Sequence, residues 1–232
     1  HLDCHNNKLI SLPDLLCNCT NLQKLLCYSN KLISLPNSLC NYTNLQYLYC
    51  SYNKLISLPD SLGKCTKLKH LSCEHNKLTS LPDSLGKCTK LEVLDCSYNR
   101  LKSISDLSSC DFLRILNCQK NYLVSLPNIS QTGNLQELNF HSNKVVSLPT
   151  FGKKSQLSKV IANHNKLTSL SDLNNCCYLT EIDVIRNELT SLPDLGKCTK
   201  LNKLYVTFNK FPIIPGMVGG FDRYYQNLYC CN

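Results

Sequence analysis

The sequence predicts a single α/β solenoid, and three observations carry that prediction. An asparagine recurs every 23 residues at Asn7, Asn30, Asn53, Asn76 and Asn99, then every 22 at Asn121, Asn143, Asn165, Asn187 and Asn209. Ahead of each stands LxxLxC or LxxLxV, with a few substitutions, in which apolar residues alternate with polar ones as in a strand buried on one face. Behind most of them comes xLxxLP, whose proline ends the strand. Self-similarity at this period outranks local propensity. A unit this short cannot bury its own leucines, so a core forms only between stacked neighbours. At 232 residues, length therefore counts about ten repeats and not domains.

The stretch Leu68 to Lys90, LKHLSCEHNKLTSLPDSLGKCTK, shows what each position is for. Leu71 and Cys73 point inward, while His70, Ser72 and Glu74 point outward. At Asn76 the chain turns off the strand and leaves backbone groups inside without ladder partners. A buried carboxamide offers both donors and an acceptor to them. Pro82 breaks the strand, and Asp83 and Ser84 suit the start of a turn or short helix. The closing PDSLGKCTK occupies both Pro59 to Lys67 and Pro82 to Lys90, and returns as PDLGKCTK at Pro193 to Lys200. That one-residue loss accounts for the change of period by shortening a loop, with the strand untouched. Repeats are expected over residues 1–215, beginning without an N-terminal cap because His1 falls inside a strand. Residues 216–232 are expected to form a degenerate cap, with Met217, Val218, Phe221 and Leu228 lying over the last repeat.

Seventeen cysteines raise the question of disulfides. Cys4, Cys27, Cys50, Cys73, Cys96 and Cys118 share one inward repeat position, continued by Phe140, Ala162, Val184 and Val206. A free thiol behaves as a small hydrophobe and suits that slot. Neighbours stacked in a parallel sheet lie about 4.8 Å apart with parallel Cβ vectors, whereas a disulfide wants converging Cβ atoms about 3.8 Å apart. Cys19, Cys65, Cys88, Cys110, Cys176 and Cys198 form a second column on the opposite edge, read the same way. Together they predict reduced core thiols and a reducing, cytoplasmic setting. No apolar run approaches the length of a membrane span, and no signal peptide is visible.

Ten units of this pattern resemble the leucine-rich repeat family, in its 22 to 23 residue form with an LxxLP return segment and here a cysteine core column. The resemblance covers about Leu2 to Pro215. It implies a horseshoe with a parallel sheet of about ten short strands on the concave face and turns or short helical pieces on the convex face. It also implies that the ten asparagines form a stacked structural ladder and are not catalytic. Bacterial members that carry a ligase domain add the possibility of a recognition arm from a longer enzyme.

Function on such a scaffold resides in the side chains that alternate away from the core. Strand neighbours two apart are separated by about 6.7 Å and adjacent strands by about 4.8 Å. Leu26, Tyr28, Tyr47, Tyr49 and His70 are therefore expected to form one patch, with Tyr52, His75 and Tyr98 just past the strands and Glu74 and Asp95 alongside. Rigid amphipathic aromatics gathered in this way make binding hot spots. Tyrosine also simply favours strands, which is the plain alternative. The expectation is a monomeric, non-enzymatic module that binds a protein partner through this patch.

Other chemistries find less support. A phosphate loop, a nucleophile elbow and an HExxH helix are all missing, and no cofactor is implied. All six histidines (His1, His5, His70, His75, His141, His164) fall on the concave or strand-end surface, yet they do not converge as metal ligands must. The net charge of +9 rests largely on a ladder just after the asparagines: Lys8, Lys31, Lys54, Lys77, Arg100, Lys144, Lys166 and Lys210. That ladder keeps open an electrostatic binder of nucleic acid or anionic lipid, with nucleic acid the less expected partner and a solvated rim the plain alternative. Sequons at Asn18, Asn41 and Asn128 carry no weight in an asparagine-rich chain.

Overall fold

Each repeat contributes one strand to a continuous parallel sheet in the computed structural model, which describes residues 1–13, 19–152 and 155–212. The strands are β1 (Leu2–Asp3), β2 (Lys24–Leu26), β3 (Tyr47–Tyr49), β4 (His70–Ser72), β5 (Val93–Asp95), β6 (Ile115–Asn117), β7 (Glu137–Asn139), β8 (Lys159–Ile161), β9 (Glu181–Asp183) and β10 (Lys203–Tyr205). They pair strictly in sequence order. The register never slips, so equivalent positions face one another from Leu25↔Leu48 through Leu204↔Ile182. The result is a solenoid with this sheet as its concave face. The expected capping residues 216–232 lie outside the described residues.

From β2 to β9 the middle residue of each strand is buried and its two neighbours are half-exposed. Leu48, Leu71, Leu94, Leu116 and Leu138 are fully buried, and the inward cysteines Cys27, Cys50, Cys73, Cys96 and Cys118 lie beside them. These thiols are free, and several donate to the carbonyl of the next repeat, as Cys50 does to Ser72 and Cys73 to Asp95, both at 3.4 Å. Burial, the largest cause, pushes the Cys27 thiol up to about 12, and it raises Cys50, Cys73 and Cys96 well above the ordinary range. Thiols held protonated in this way are poor nucleophiles. The second column is also free and mostly buried, Cys19 being exposed at the first repeat. Tyr42 occupies this column at the second repeat and is fully buried, which takes it out of the tyrosines available to a partner.

The asparagines bind neighbouring repeats together. Asn53 Nδ2 donates to Cys27 O at 3.0 Å in the preceding repeat and to Cys50 O and Ser51 O at 3.1 Å in its own, and its Oδ1 accepts from the Leu32 amide at 2.9 Å. Asn99, Asn121 and Asn187 repeat this set. At the N-terminal end Asn7 is exposed and reaches only Cys4 O and His5 O.

Return segments follow the period. The 23-residue repeats coil into 3-10 segments of five residues at Asn37–Asn41, Asp60–Lys64 and Asp83–Lys87. Among the described residues of the shorter repeats only Ser171–Leu173 coils in this way, over three residues, because one residue fewer leaves a bare turn. Ser84 does not cap its own segment. Its hydroxyl donates to Asp60 O of the repeat before, at 2.6 Å, and so ties neighbours together. Gly63 permits that closeness, since a Cβ there would stand 2.5 Å from Ser84 Cβ.

Candidate binding surface

Side chains of β2 to β4 form a connected aromatic group on the concave face. Tyr47 and His70, opposite each other in register, have ring centroids 5.0 Å apart. The Lys24 ammonium lies 6.0 Å from the Tyr47 ring and 5.8 Å from the Tyr49 ring. Leu26 pairs with Tyr49 in the same row. All are half-exposed, with the Lys24 ammonium over the Tyr47 and Tyr49 rings and the Tyr47 and His70 rings tilted at 35° to each other. Burial, the largest cause, lowers the His70 pKa and raises that of Tyr49, which marks the group as partly desolvated before any partner arrives.

Two further aromatic contacts flank this group. Tyr28 stacks on His5 at 4.5 Å, toward the N-terminal edge and away from Tyr47 and Tyr49. Tyr52, His75 and Tyr98 form a separate pile just past the strands, with centroids 4.3 and 4.1 Å apart and planes within 13° of parallel. Backbone conformation is what separates them. The residue before every ladder asparagine is left-handed, with φ between 51° and 58° at all ten positions. That twist turns the side chain off the strand face onto the rim. Sequence reasoning missed this, although one signal was present: the column contains Asn, Ser, Tyr, His, Lys, Arg and Phe but no β-branched residue, the class that tolerates positive φ least.

Glu74 and Asp95 are committed within the surface. Ser72 donates to Glu74 at 2.6 Å, and Asp95 accepts from the Ser97 hydroxyl at 2.7 Å and the Asn117 amide at 2.9 Å. They brace the patch, and its half-exposed rings are left as contact area.

Farther along, the same face is charged: Glu181 stands between Lys159 (3.8 Å) and Lys203 (3.6 Å). His141 and His164 meet edge to face at 5.4 Å, and burial, the largest cause, lowers the His164 pKa. Among the described residues no group of three His, Cys, Asp or Glu is placed to hold a metal ion. One further feature had escaped the sequence reading. Before β4 to β6, Lys67, Lys69, Lys90, Glu92 and Phe112 line an open depression of about 400 Å³, with Lys90 over the Phe112 ring at 4.4 Å. Phe112 following Lys67 and Lys90 at one repeat position was its trace in the sequence.

A profile described as Leucine Rich repeats (2 copies) matches residues 43–87 and 89–131. No curated protein sequence matches the chain. Among solved structures it is similar to the functional domain of InlJ from Listeria monocytogenes, a protein described as including a cysteine ladder (28% identity, TM-score 0.70, 92% of this chain and 50% of that one). It is also similar to YopM, a leucine-rich effector of Yersinia pestis (26%, TM-score 0.72, 90% and 61%). A leucine-rich repeat protein of Leptospira interrogans aligns less closely in space (26%, TM-score 0.55, 90% and 66%). The chain thus spans between half and two thirds of the length of these structures.

Proposed function

Since the chain is a leucine-rich repeat protein, a fold commonly used as a protein interaction scaffold, we propose that it is a non-enzymatic, monomeric module that holds a protein partner against the concave face of β2 to β4. The carrying observation is the cluster of Lys24, Leu26, Tyr47, Tyr49 and His70, prepacked through a tilted ring pair and one cation over two rings and still half-exposed. Rigid aromatics lose little entropy on binding and bury much apolar area, which is why such groups anchor interfaces. Tyr28, with His5, and the Tyr52, His75, Tyr98 pile flank that anchor on two sides. The test is affinity capture from cell extracts with Tyr47→Ala/Tyr49→Ala beside the unaltered chain. Both rings are half-exposed, so the variant is expected to fold and to lose the captured partner by at least about thirtyfold. Capture that survives in a folded variant removes this site.

The proposed setting is a reducing, cytoplasmic one. Thiols in both columns support it, being buried, free and hydrogen-bonded to carbonyls. Titration of the native-source protein after denaturation without reductant is expected to find close to seventeen free thiols. A count near one refutes the assignment.

A further inference from the structure

The flank that follows the strands carries a surface the concave site does not use. After each asparagine from Asn30 to Asn209 the chain is held to the preceding repeat by a backbone bond. Lys31 N–H donates to Leu9 O and Lys54 to Leu32 O, both at 2.8 Å, then Lys77 to Leu55 O at 2.9 Å, and so on to Lys210 and Leu189 O at 2.8 Å. From the second repeat to the ninth the middle residue of each segment is buried, as Leu32, Leu55 and Leu78 show, and its two neighbours lie on the solvent side. Two parallel rows result.

One row is cationic at eight of its ten positions. Among the described residues, Lys8, Lys31, Lys54 and Lys77 are exposed and make no ion pair, and the row's acid, Glu188, is taken by Lys210 at 2.8 Å. Its companion row bares aliphatic side chains: Ile10, Ile33 and Ile56, in three successive repeats, are 67%, 58% and 61% exposed, and farther along Val124 and Val146 are 57% and 50% exposed. Strand propensity explains a β-branched residue at this position, but Thr79 and Thr168 meet that need at the same place without baring an isoleucine. The fold therefore does not require the isoleucines.

We propose that this flank rests on an anionic lipid surface, with the lysine ammoniums among the headgroup phosphates and the isoleucines at the acyl boundary. Charge complementarity selects an anionic occupant, and the apolar row selects lipid among anions. A nucleic acid would use the cations and gain nothing from the isoleucines, whereas an anionic bilayer rewards both rows. Repeats stack about 4.8 Å apart, so the strip from Ile10 to Ile56 is short and gives reversible adhesion, not insertion. No helix among the described residues is long and apolar enough to cross a membrane.

Flotation of the 232-residue chain with vesicles tests this. The chain is expected to float with phosphatidylcholine vesicles containing phosphatidylserine and to stay behind with phosphatidylcholine alone. Lys31→Gln/Lys54→Gln should lower partition by roughly twenty-five-fold, about fivefold for each lysine. Ile33→Thr/Ile56→Thr, which copies the residue of the fourth repeat, should lower it by about tenfold. The concave Tyr47→Ala/Tyr49→Ala chain should float undiminished. A readout free of variants is salt: at the concentration that releases the chain from heparin, phosphatidylserine vesicles should still retain it. Failure to float, equal flotation with both vesicle types, a folded threonine variant that floats like the parent, or release from heparin and vesicles at the same salt each overturns the proposal.

Discussion

The concave face carries two different surfaces on one unchanged frame. Over β2 to β4 its outward residues are Lys24, Leu26, Tyr47, Tyr49 and His70, which touch through rings and one cation. Over β7 to β9 they include Glu137, Lys159, Glu181 and Asp183, and Glu181 is shared between Lys159 and Lys203 of β10. In the second region Glu181 is held by two lysines, whereas in the first the rings of Tyr47, Tyr49 and His70 stay half-exposed. Yet strand length, register and burial pattern are the same in both. The difference teaches that the frame is indifferent to what is written on it, so stability and recognition should respond to separate residues.

The strongest way to break that comparison is to damage the frame in each half. Asn53 and Asn165 make the same bonds: Asn165 Nδ2 donates to Phe140 O at 3.0 Å and Ala162 O at 3.1 Å, and its Oδ1 accepts from Val145 at 3.0 Å. Asn53→Leu and Asn165→Leu each orphan buried backbone groups, and each should cost on the order of 3 kcal/mol in urea unfolding. Unequal costs would show that the halves differ in frame as well as in surface. Return segments should divide more sharply. A Cβ at Gly63 meets Ser84 Cβ at 2.5 Å and O at 2.6 Å, whereas at Gly133 it meets nothing within 4 Å. Gly63→Ala is expected to destabilise by about 1–3 kcal/mol. Gly133→Ala should leave the unfolding midpoint unchanged or slightly raised.

This division also explains what could be read in advance. Frame residues repeat, so Leu71, Cys73, Asn76 and Pro82 are legible from their period, and so is the alternation that puts His70 and Ser72 outside. The left-handed turn at Tyr52, His75 and Tyr98 was not legible, because positive φ is imposed by the stacking of repeats and not by those side chains. Tyr28 and His5 hold equivalent positions 23 residues apart, while the next neighbour in that column is Ser51, so their stacking follows from the repeat although it was not read in advance. Tyr42 is core, in a column held at most other repeats by cysteine.

The smallest expected effect is titration, and it should run in opposite directions in the two halves. In the aromatic half burial lowers the His70 pKa, so the folded state disfavours the imidazolium. The unfolded chain then binds more protons, and stability present above the ordinary histidine value, about 6.5, is lost as pH falls through the lowered folded value. In the charged half burial is the largest cause that raises Asp183, against the opposing amide of Ile185. Its folded state favours the neutral acid, so the contribution is present below the ordinary carboxylate value, about 3.9, and is lost as pH rises through the raised one. Melting midpoints of His70→Gln and Asp183→Asn chains, measured against pH, should therefore diverge from the parent in different windows. The His70→Gln chain should gain on the parent on the acid side of about pH 6.5, and the Asp183→Asn chain should gain on it toward neutral pH. Neither protein needs its partner for this measurement. Partner capture adds one more reading, because a partner that covers His70 desolvates it further and should bind less tightly as the imidazole protonates. Capture independent of pH across that window would place the partner away from His70 and on the rim pile instead.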